Sequence, residues 1–403
     1  MYGAELIEAL RARAGEESFL PSRDSNTDGR DAPGPISFFG AGGERMRAAG
    51  CDIIVDAKDL AVVGITEIFS HLPKILGLYK KLIRSADDRR PDVAVVIDSP
   101  AFNWRVARQM RKRGVPVVYY VCPQFWAWRQ GRVKLLRKYV DKALVIFPFE
   151  EKFYRDRGVD AIFVGHPLAD LSPPDMSREQ FAIRYGLKPQ KTWIALLPGS
   201  RRKEFRLNLP AILEAVRQLG ADFQFVLPVA STLDEQWVHR RVFSSGHSSR
   251  NRLTPFIALT KDARASLYYS RAAIVASGTA TVEAAIMGTP FVMVYRVSPL
   301  TYALGKPRVK VAHYAMVNLI AGEEIVPELV QSKFTAENIM SELGKIIPDG
   351  ESRSQMLRGF TSVREKLRRG NVGARPSELA AETILNMLSE RPCARRPDRR
   401  VEP

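Results

Sequence analysis

An apolar run that breaks at a glycine turn and passes straight into a helix is the feature that most restricts this chain. Residues 274–290 read IVASGTATVEAAIMGTP. The buried-strand pattern Ala272–Ala276 stops at Ser277-Gly278-Thr279, a helix-like stretch follows, and Gly288 and Pro290 end it. The N–H groups of the first helical turn have no carbonyl before them to bind. Together with the positive end of the helix dipole they form a site for a phosphate or diphosphate. Gly278 lets the backbone come close, and Glu283, about one turn on, reaches toward the sugar hydroxyls of a nucleotide whose diphosphate sits at the turn. One such turn is ordinary α/β architecture, so its neighbours must decide whether it binds anything.

The neighbours repeat the pattern. DVAVVID (92–98) leads into a helix to Arg113, then come VPVVYYV (115–121), the helical VKLLRKYV, and ALVIF (143–147). After the proline-rich stretch 165–177, which has the texture of a linker, WIALLPGS (193–200) precedes a helix with Leu209, Ile212, Leu213, Val216 and Leu219 in register, and FQFVLPVA (223–230) follows. Short apolar runs alternating with helices at this spacing predict parallel sheets covered on both faces. The expected architecture is α/β, with two Rossmann-like domains facing each other across a cleft. The expected boundaries are 1–168 for an N-terminal acceptor domain, 169–390 for a C-terminal nucleotide domain, and 391–403 for a disordered basic tail. MYGAELIEALRAR places Leu6, Ile7 and Leu10 at helical spacing with no strand before them. The N-terminal domain is therefore expected to lack its first strand.

In parallel sheets ligands lie beyond the carboxyl ends of the strands. Asp98 ends the cleanest N-terminal strand, where a carboxylate could take a proton from a sugar hydroxyl as general base. Ser99-Pro100 also makes a turn there, so an Asp that merely caps the next helix is an equal reading. LLPGSRRKEF offers a second phosphate site, with Gly199 and Ser200 at a strand end and Arg201 poised to neutralise a departing diphosphate. CPQFWAWRQGR (122–132) carries Trp126 and Arg129, which suit an apolar or sugar ligand, although packing between layers is the commoner use of tryptophan. The stretch 295–331 sets Lys306, Arg308, Lys310, Asn318, Glu323 and Glu324 among apolar anchors and reads as another ligand-contacting region. His166, in GHP, serves either a ligand or a structural turn.

Charge and composition limit the partners. A formal charge of +17 favours an anionic partner: nucleic acid, an acidic membrane surface or a phosphorylated small molecule. The basic residues are scattered and no nucleic-acid module is recognisable, so nucleic acid is the weakest of the three. From Gly64 to Arg84 a basic amphipathic helix is expected, with Leu72, Ile75, Leu76, Tyr79, Leu82 and Ile83 on one stripe and Lys74, Lys80, Lys81 and Arg84 largely off it. It packs on a sheet or rests on an anionic bilayer. No run reaches the roughly 18 apolar residues of a membrane span, and the N-terminus lacks a signal-peptide pattern, so a cytoplasmic protein is expected. Cys51, Cys122 and Cys393 form no CxxC pair, and no DxD, HExxH or clustered His/Cys pattern is present. Neither a disulfide framework nor a metal is expected, and no other cofactor.

IDSPAFNWRVA, VYYVCPQFWAWRQGRVK, FPFEEKFYRDRGVDAIFVGHPLAD, LLPGSRRKE, SGTATVEAAIMGTPFVMVYR, SPLTYALGK and NLIAGEEIVPELVQ, in this order, resemble lipid-A-disaccharide synthase, a bacterial glycosyltransferase. The resemblance covers about residues 38–335. It implies a GT-B fold and transfer of a sugar from UDP-2,3-diacylglucosamine to 2,3-diacylglucosamine 1-phosphate, with inversion, giving a β-1,6 disaccharide and UDP. It further implies that Asp98 takes the proton of the acceptor 6-hydroxyl, and that Arg201, the Ser277-Gly278-Thr279 turn, Glu283 and Asn318 contact UDP. The stretch from Gly64 to Leu82 would lie against the anionic inner-membrane surface, making the protein peripheral on its cytoplasmic side. A homodimer is left open.

One departure stands at the start: the family opens with a strand and a GEASGD-like loop, and this sequence begins after it, so either the true start lies upstream or the protein lacks a sheet strand and a site residue. That keeps open an inactive homologue that binds UDP-sugar and membrane. Another GT-B transferase, or a UDP-sugar epimerase, would share the C-terminal nucleotide site and differ in the acceptor half.

Overall fold

The structure is a computed structural model that describes residues 2–16, 36–60, 67–243, 255–305, 309, 311–369 and 375–390. They form two compact units. One gathers the described residues of Met1–Phe125, Gln130–Gly165 and Arg369–Pro403, the other Trp126–Arg129 and His166–Arg368.

In the first unit β1 (Phe38–Gly42) pairs in parallel with β2 (Cys51–Asp56). The strands β3 (Ala94–Ile97), β4 (Val117–Tyr120), β5 (Lys142–Val145) and β6 (Ala161–Phe163) form a separate parallel sheet in that order. Among the described residues β1 pairs only with β2, and β3 only with β4. Val117, Val118, Tyr119 and Tyr120 are all fully buried, the continuous burial expected of a parallel strand covered on both faces. The helix Pro100–Lys112 turns Val106, Ala107 and Met110 into this core.

The amphipathic helix spans Glu67–Arg89. Leu82 and Ile83 are buried in the core, Tyr79 packs against it, and Leu76 stays exposed beside the exposed Lys80 and Lys81. The C-terminal half of the expected stripe is thus sheet packing. Gly64 and the side chain of Leu72 lie outside the described residues.

The opening helix, Tyr2–Glu16, buries Leu6, Ile7 and Leu10 as their spacing predicts. It packs against the helix Pro376–Ser389, which buries Ala380, Ala381 and Ile384, and Arg13 pairs with Glu382 at 3.0 Å. This corrects the expected C-terminal domain of 169–390. The second unit closes at Arg368, and the last helix joins the first unit because the opening helix has apolar surface left to cover. Residues 391–403, expected as a disordered tail, lie outside the described residues.

The second unit holds β7 (Thr192–Leu197), β8 (Phe223–Pro228), β9 (Phe256–Thr260), β10 (Ala272–Ala276), β11 (Phe291–Tyr295) and β12 (Glu328–Val330). All pair in parallel, in the order β12-β11-β10-β7-β8-β9. The chain steps outward from β7 to β9, then returns to lay β10 on the other side of β7. The strand order therefore reverses between β7 and β10, where a parallel sheet opens a crevice at its carboxyl edge. The helix Arg202–Leu219 buries Leu209, Ile212, Leu213 and Val216, with Leu219 half-buried at its end.

Candidate active site

The register Ala272↔Ile194 through Val275↔Leu197 sets the carboxyl ends of β7 and β10 side by side. Two of the turns read from the sequence thereby become neighbours. After β7, Gly199 takes φ +123°, and a Cβ there would stand 2.9 Å from the Cβ of Glu204. Glycine is required both for that conformation and for that space. Asn208, buried, donates Nδ2–H to the carbonyl of Pro198 at 2.8 Å, and the Thr232 hydroxyl donates to the carbonyl of Ser200 at 2.5 Å. The turn is therefore held from two sides. Arg201 ends it at the N-cap of the next helix, its Nη1 2.6 Å from Glu204 Oε1 and its side chain largely exposed.

After β10, Ser277 stays in the ladder through its N–H to the carbonyl of Val294 at 3.0 Å, and its hydroxyl donates to the carbonyl of Tyr314 at 2.8 Å. Gly278, at φ +141°, is the N-cap of the helix Thr279–Ile286. Thr281 closes the first turn, donating its N–H and its hydroxyl to the carbonyl of Gly278 at 3.1 and 2.7 Å. The N–H groups of Thr279 and Ala280 point out of the helix start, where an anion is stabilised. Glu283 lies one turn further. Its carboxylate makes no hydrogen bond or ion pair with any described residue, and burial pushes its pKa above the ordinary range. A desolvated carboxylate without a cation is suited to accept hydrogen bonds from neutral hydroxyls, such as those of a ribose.

At the end of β11, Tyr295 stacks against Tyr314 with ring centroids 6.0 Å apart. Burial raises the Tyr295 phenol first of all, Glu204 and Tyr314 add to that, and Arg201 opposes it. Three strand ends thus converge on one place.

Asn318 does not reach that place with its side chain. It is fully buried, and its amide is spent on four bonds: Nδ2–H to the carbonyl of Val326 and to Glu328 Oε1, both 2.9 Å, and Oδ1 from the N–H groups of Ile325 and Val326, both 3.0 Å. The amide expected to contact UDP is thus engaged with this chain's own backbone and with Glu328. Glu328, which the sequence reading passed over, also accepts the N–H groups of Tyr314 and Ala315, at 2.9 to 3.0 Å. It therefore fixes the segment whose carbonyl holds Ser277. Lys306, Arg308 and Lys310 lie outside the described residues.

In the first unit, Asp98 follows β3 with its N–H still donating to the carbonyl of Tyr120 at 3.1 Å. Asp98 and Ser99 then take φ +47° and +40°, the left-handed region, with no glycine to ease it. Such residues cost about 1–3 kcal/mol each and persist only where the surroundings impose them. The helix starts at Pro100 with Ser99 as N-cap and no side-chain cap bond. Asp98 is thus not the helix cap, and its side chain is exposed. Its carbonyl accepts from Asn103 Nδ2 at 2.6 Å and from the Tyr119 hydroxyl at 2.7 Å. Tyr2, whose ring meets that of Tyr120 at 5.6 Å, has its phenol pushed up to about 12 by burial, and by the charges of Asp98, Glu5 and Glu150.

Trp126 is buried, so the commoner reading of that tryptophan applies in place of an open ligand wall. The segment Trp126–Arg129 clusters with the second unit, where Trp128 bridges Val309 and carries the Arg129 guanidinium 4.3 Å from its ring. His166 is a structural turn residue. It is buried, its Nδ1 accepts the N–H of Leu168 at 3.1 Å, and burial lowers its pKa to about 4. Among the described residues no group of three or more His, Cys, Asp or Glu could hold a metal ion, and no helix is long and apolar enough to cross a membrane.

Comparison with known proteins narrows what such a site serves. The family model described as lipid-A-disaccharide synthetase matches residues 22–382. The lipid-A-disaccharide synthase of Koribacter versatilis (strain Ellin345) is 50% identical over 391 residues, which cover 97% of this chain and 96% of that protein. Among solved structures, the glycotransferase of kitacinnamycin superposes with a TM-score of 0.56 at 14% identity, covering 96% of both chains. A putative UDP-N-acetylglucosamine 2-epimerase from Listeria monocytogenes gives 0.53 at 14% identity, over 85% of this chain and 84% of its own. At such identity the last two share the GT-B fold and nothing more specific. The high identity runs instead with the synthases along nearly the whole chain, and neither an epimerase nor an inactive homologue is favoured. The chain belongs to the lipid-A-disaccharide synthase family, the GT-B glycosyltransferases of lipid A biosynthesis.

Proposed function

We propose that this chain transfers 2,3-diacylglucosamine from UDP-2,3-diacylglucosamine to the 6-hydroxyl of 2,3-diacylglucosamine 1-phosphate. The observation that carries this reading is the reversal point of the second sheet. Two anion-binding turns and a carboxylate without a partner among the described residues meet there, the set a nucleoside diphosphate needs. The Gly199-Ser200 turn with Arg201 and the Ser277-Gly278-Thr279 turn take the diphosphate, and Glu283 takes the ribose hydroxyls. Asn318 acts behind them through Glu328.

Asp98 accepts the proton of the acceptor hydroxyl as its oxygen bonds the anomeric carbon. The bond from that carbon to the UDP phosphate breaks with its electron pair leaving on UDP. A single displacement inverts the anomeric configuration. Positioning of the two sugars and neutralisation of the charge developing on UDP supply most of the barrier reduction.

Purified protein given both diacylated sugars should release UDP and disaccharide in equal amounts. Absence of both products, in conditions where a known family member turns over, rejects the assignment for this chain. Asp98→Asn should abolish turnover and leave UDP binding intact; normal turnover removes Asp98 as base.

The same reading puts the helix Glu67–Arg89 against an anionic inner-membrane surface. Leu76 would enter the headgroup layer while Lys80 and Lys81 meet phosphates. Vesicles containing phosphatidylglycerol should sediment the protein, and the triple variant Leu76→Asp, Lys80→Glu, Lys81→Glu should stay in the supernatant. Equal sedimentation of both would move the membrane contact elsewhere.

A further inference from the structure

The turn after β3 is held through its carbonyls. An ordinary start satisfies the first N–H groups with a side chain from the N-cap. Here the N-cap Ser99 gives no such bond and stands, like Asp98 before it, in the left-handed region. The side chains that converge on the turn bind its carbonyls instead. Asn103, almost wholly buried one turn into the helix, reaches back with Nδ2 to the carbonyls of Ile97 at 2.9 Å and Asp98 at 2.6 Å. Tyr119, fully buried on the neighbouring strand, donates its hydroxyl to the same carbonyl of Asp98 at 2.7 Å. Burial raises the Tyr119 phenol well above its ordinary range, so it remains a donor at every pH of interest.

Two buried donors, one from the helix and one from the sheet, therefore grip a single carbonyl whose own side chain is exposed. Neither bond belongs to the helix's own ladder. Their effect is to fix the peptide after Asp98 and, with it, the direction in which Cα–Cβ of Asp98 leaves the backbone.

We propose that Asn103 and Tyr119 are positioning residues for the transfer reaction, gripping the Asp98 carbonyl so that its carboxylate is presented in one orientation. This rests on Asp98 being the general base. Without the grip the turn relaxes toward ordinary backbone, the carboxylate swings away, and proton transfer suffers while the nucleotide turns of the second unit are untouched.

The decisive variant is Tyr119→Phe, which keeps the ring packing and deletes one donor. In the full chain it should lower kcat about tenfold, the weight of one buried hydrogen bond on the orientation of the turn. KM for both sugars should stay within about twofold, and the pH at which activity falls on the acid side should not move. Asn103→Ala, which removes both of its bonds, should lower kcat further. If that variant fails to fold, Tyr119→Phe alone decides.

Wild-type kcat in Tyr119→Phe overturns the proposal. So does a rise in KM matching the fall in kcat, or a loss traced to a lower fraction of folded protein by active-site titration with UDP. Asp98→Asn in the same series separates the two claims. If Asp98→Asn is inactive while Tyr119→Phe is normal, the base stands and the positioning role fails. If Asp98→Asn turns over normally, the base assignment fails and this proposal with it.

Discussion

Replacing Asn318 with alanine tests whether that residue binds nucleotide or builds the wall behind the nucleotide turn. In the structure the side chain is fully buried and closes four bonds within ten residues of chain. Asn318→Ala leaves the N–H groups of Ile325 and Val326 without their acceptor. A buried group so stranded costs about 1–3 kcal/mol, so the pair costs about 2–6 kcal/mol, the lower half applying if water enters the space. Glu328 loses one donor and keeps the N–H groups of Tyr314 and Ala315. A loss of about 3 kcal/mol in a unit of this size lowers the melting temperature by about 6–12 °C.

UDP affinity should fall only modestly, because the effect reaches the ligand through Glu328, the 314–315 segment and the carbonyl that holds Ser277. Scanning calorimetry gives the first quantity and titration calorimetry with UDP the second. An unchanged melting temperature with UDP affinity reduced more than tenfold would refute the reasoning, since that is the signature of a direct contact. Asn318→Asp sharpens the test. It keeps the two acceptor bonds but sets a second carboxylate beside Glu328, so it should melt below wild type although both acceptor bonds remain.

Other outcomes follow from the same geometry. Because burial raises the Glu283 carboxyl, its folded form is favoured below the unfolded value of 4.5 and loses stability as pH rises through the folded one. Glu283→Gln should therefore melt higher than wild type at pH 7, match it below about pH 4, and bind UDP more weakly; a variant that melts lower at pH 7 contradicts this. His166 has the opposite sign. Its pKa is lowered to about 4 from 6.5, so stability present above pH 6.5 is lost as pH falls toward 4, by about 3 kcal/mol. Urea titrations across that window should show this slope in wild type and a flatter one in His166→Gln. Gly199→Ala forces a Cβ to 2.9 Å from Glu204 at a φ that only glycine takes easily, and should cost about 1–3 kcal/mol together with UDP affinity. Normal values of both would mean that the turn can be rebuilt without that conformation.

Composition and spacing carried the local elements. The alternation around 92–147 and 193–230 gave parallel sheets because a buried strand is apolar throughout and a covering helix is apolar on one stripe. Leu6, Ile7 and Leu10 announced a buried helix face, and the glycines at 199 and 278 announced turns. The functional assignment was legible mainly through long ordered segments, such as WAWRQGR and VGHPLAD, whose text resembles one family. Glu328 and Asn103 were not legible, because each acts through partners that only folding brings within reach.

The sequence by itself determined where strands, turns and helices form, and which turns expose backbone N–H groups to an anion. Those are consequences of local sterics and periodicity, fixed within a few residues. Only the tertiary structure decided that the turns after β7 and β10 are neighbours, since that depends on the chain returning to the far side of β7. It likewise decided that Asn318 faces inward, that Tyr119 and Asn103 meet at one carbonyl, and that Pro376–Ser389 covers the opening helix of the first unit. Contacts between residues distant in the chain are chosen by burial and hydrogen-bond satisfaction over the whole fold, and no local pattern records them.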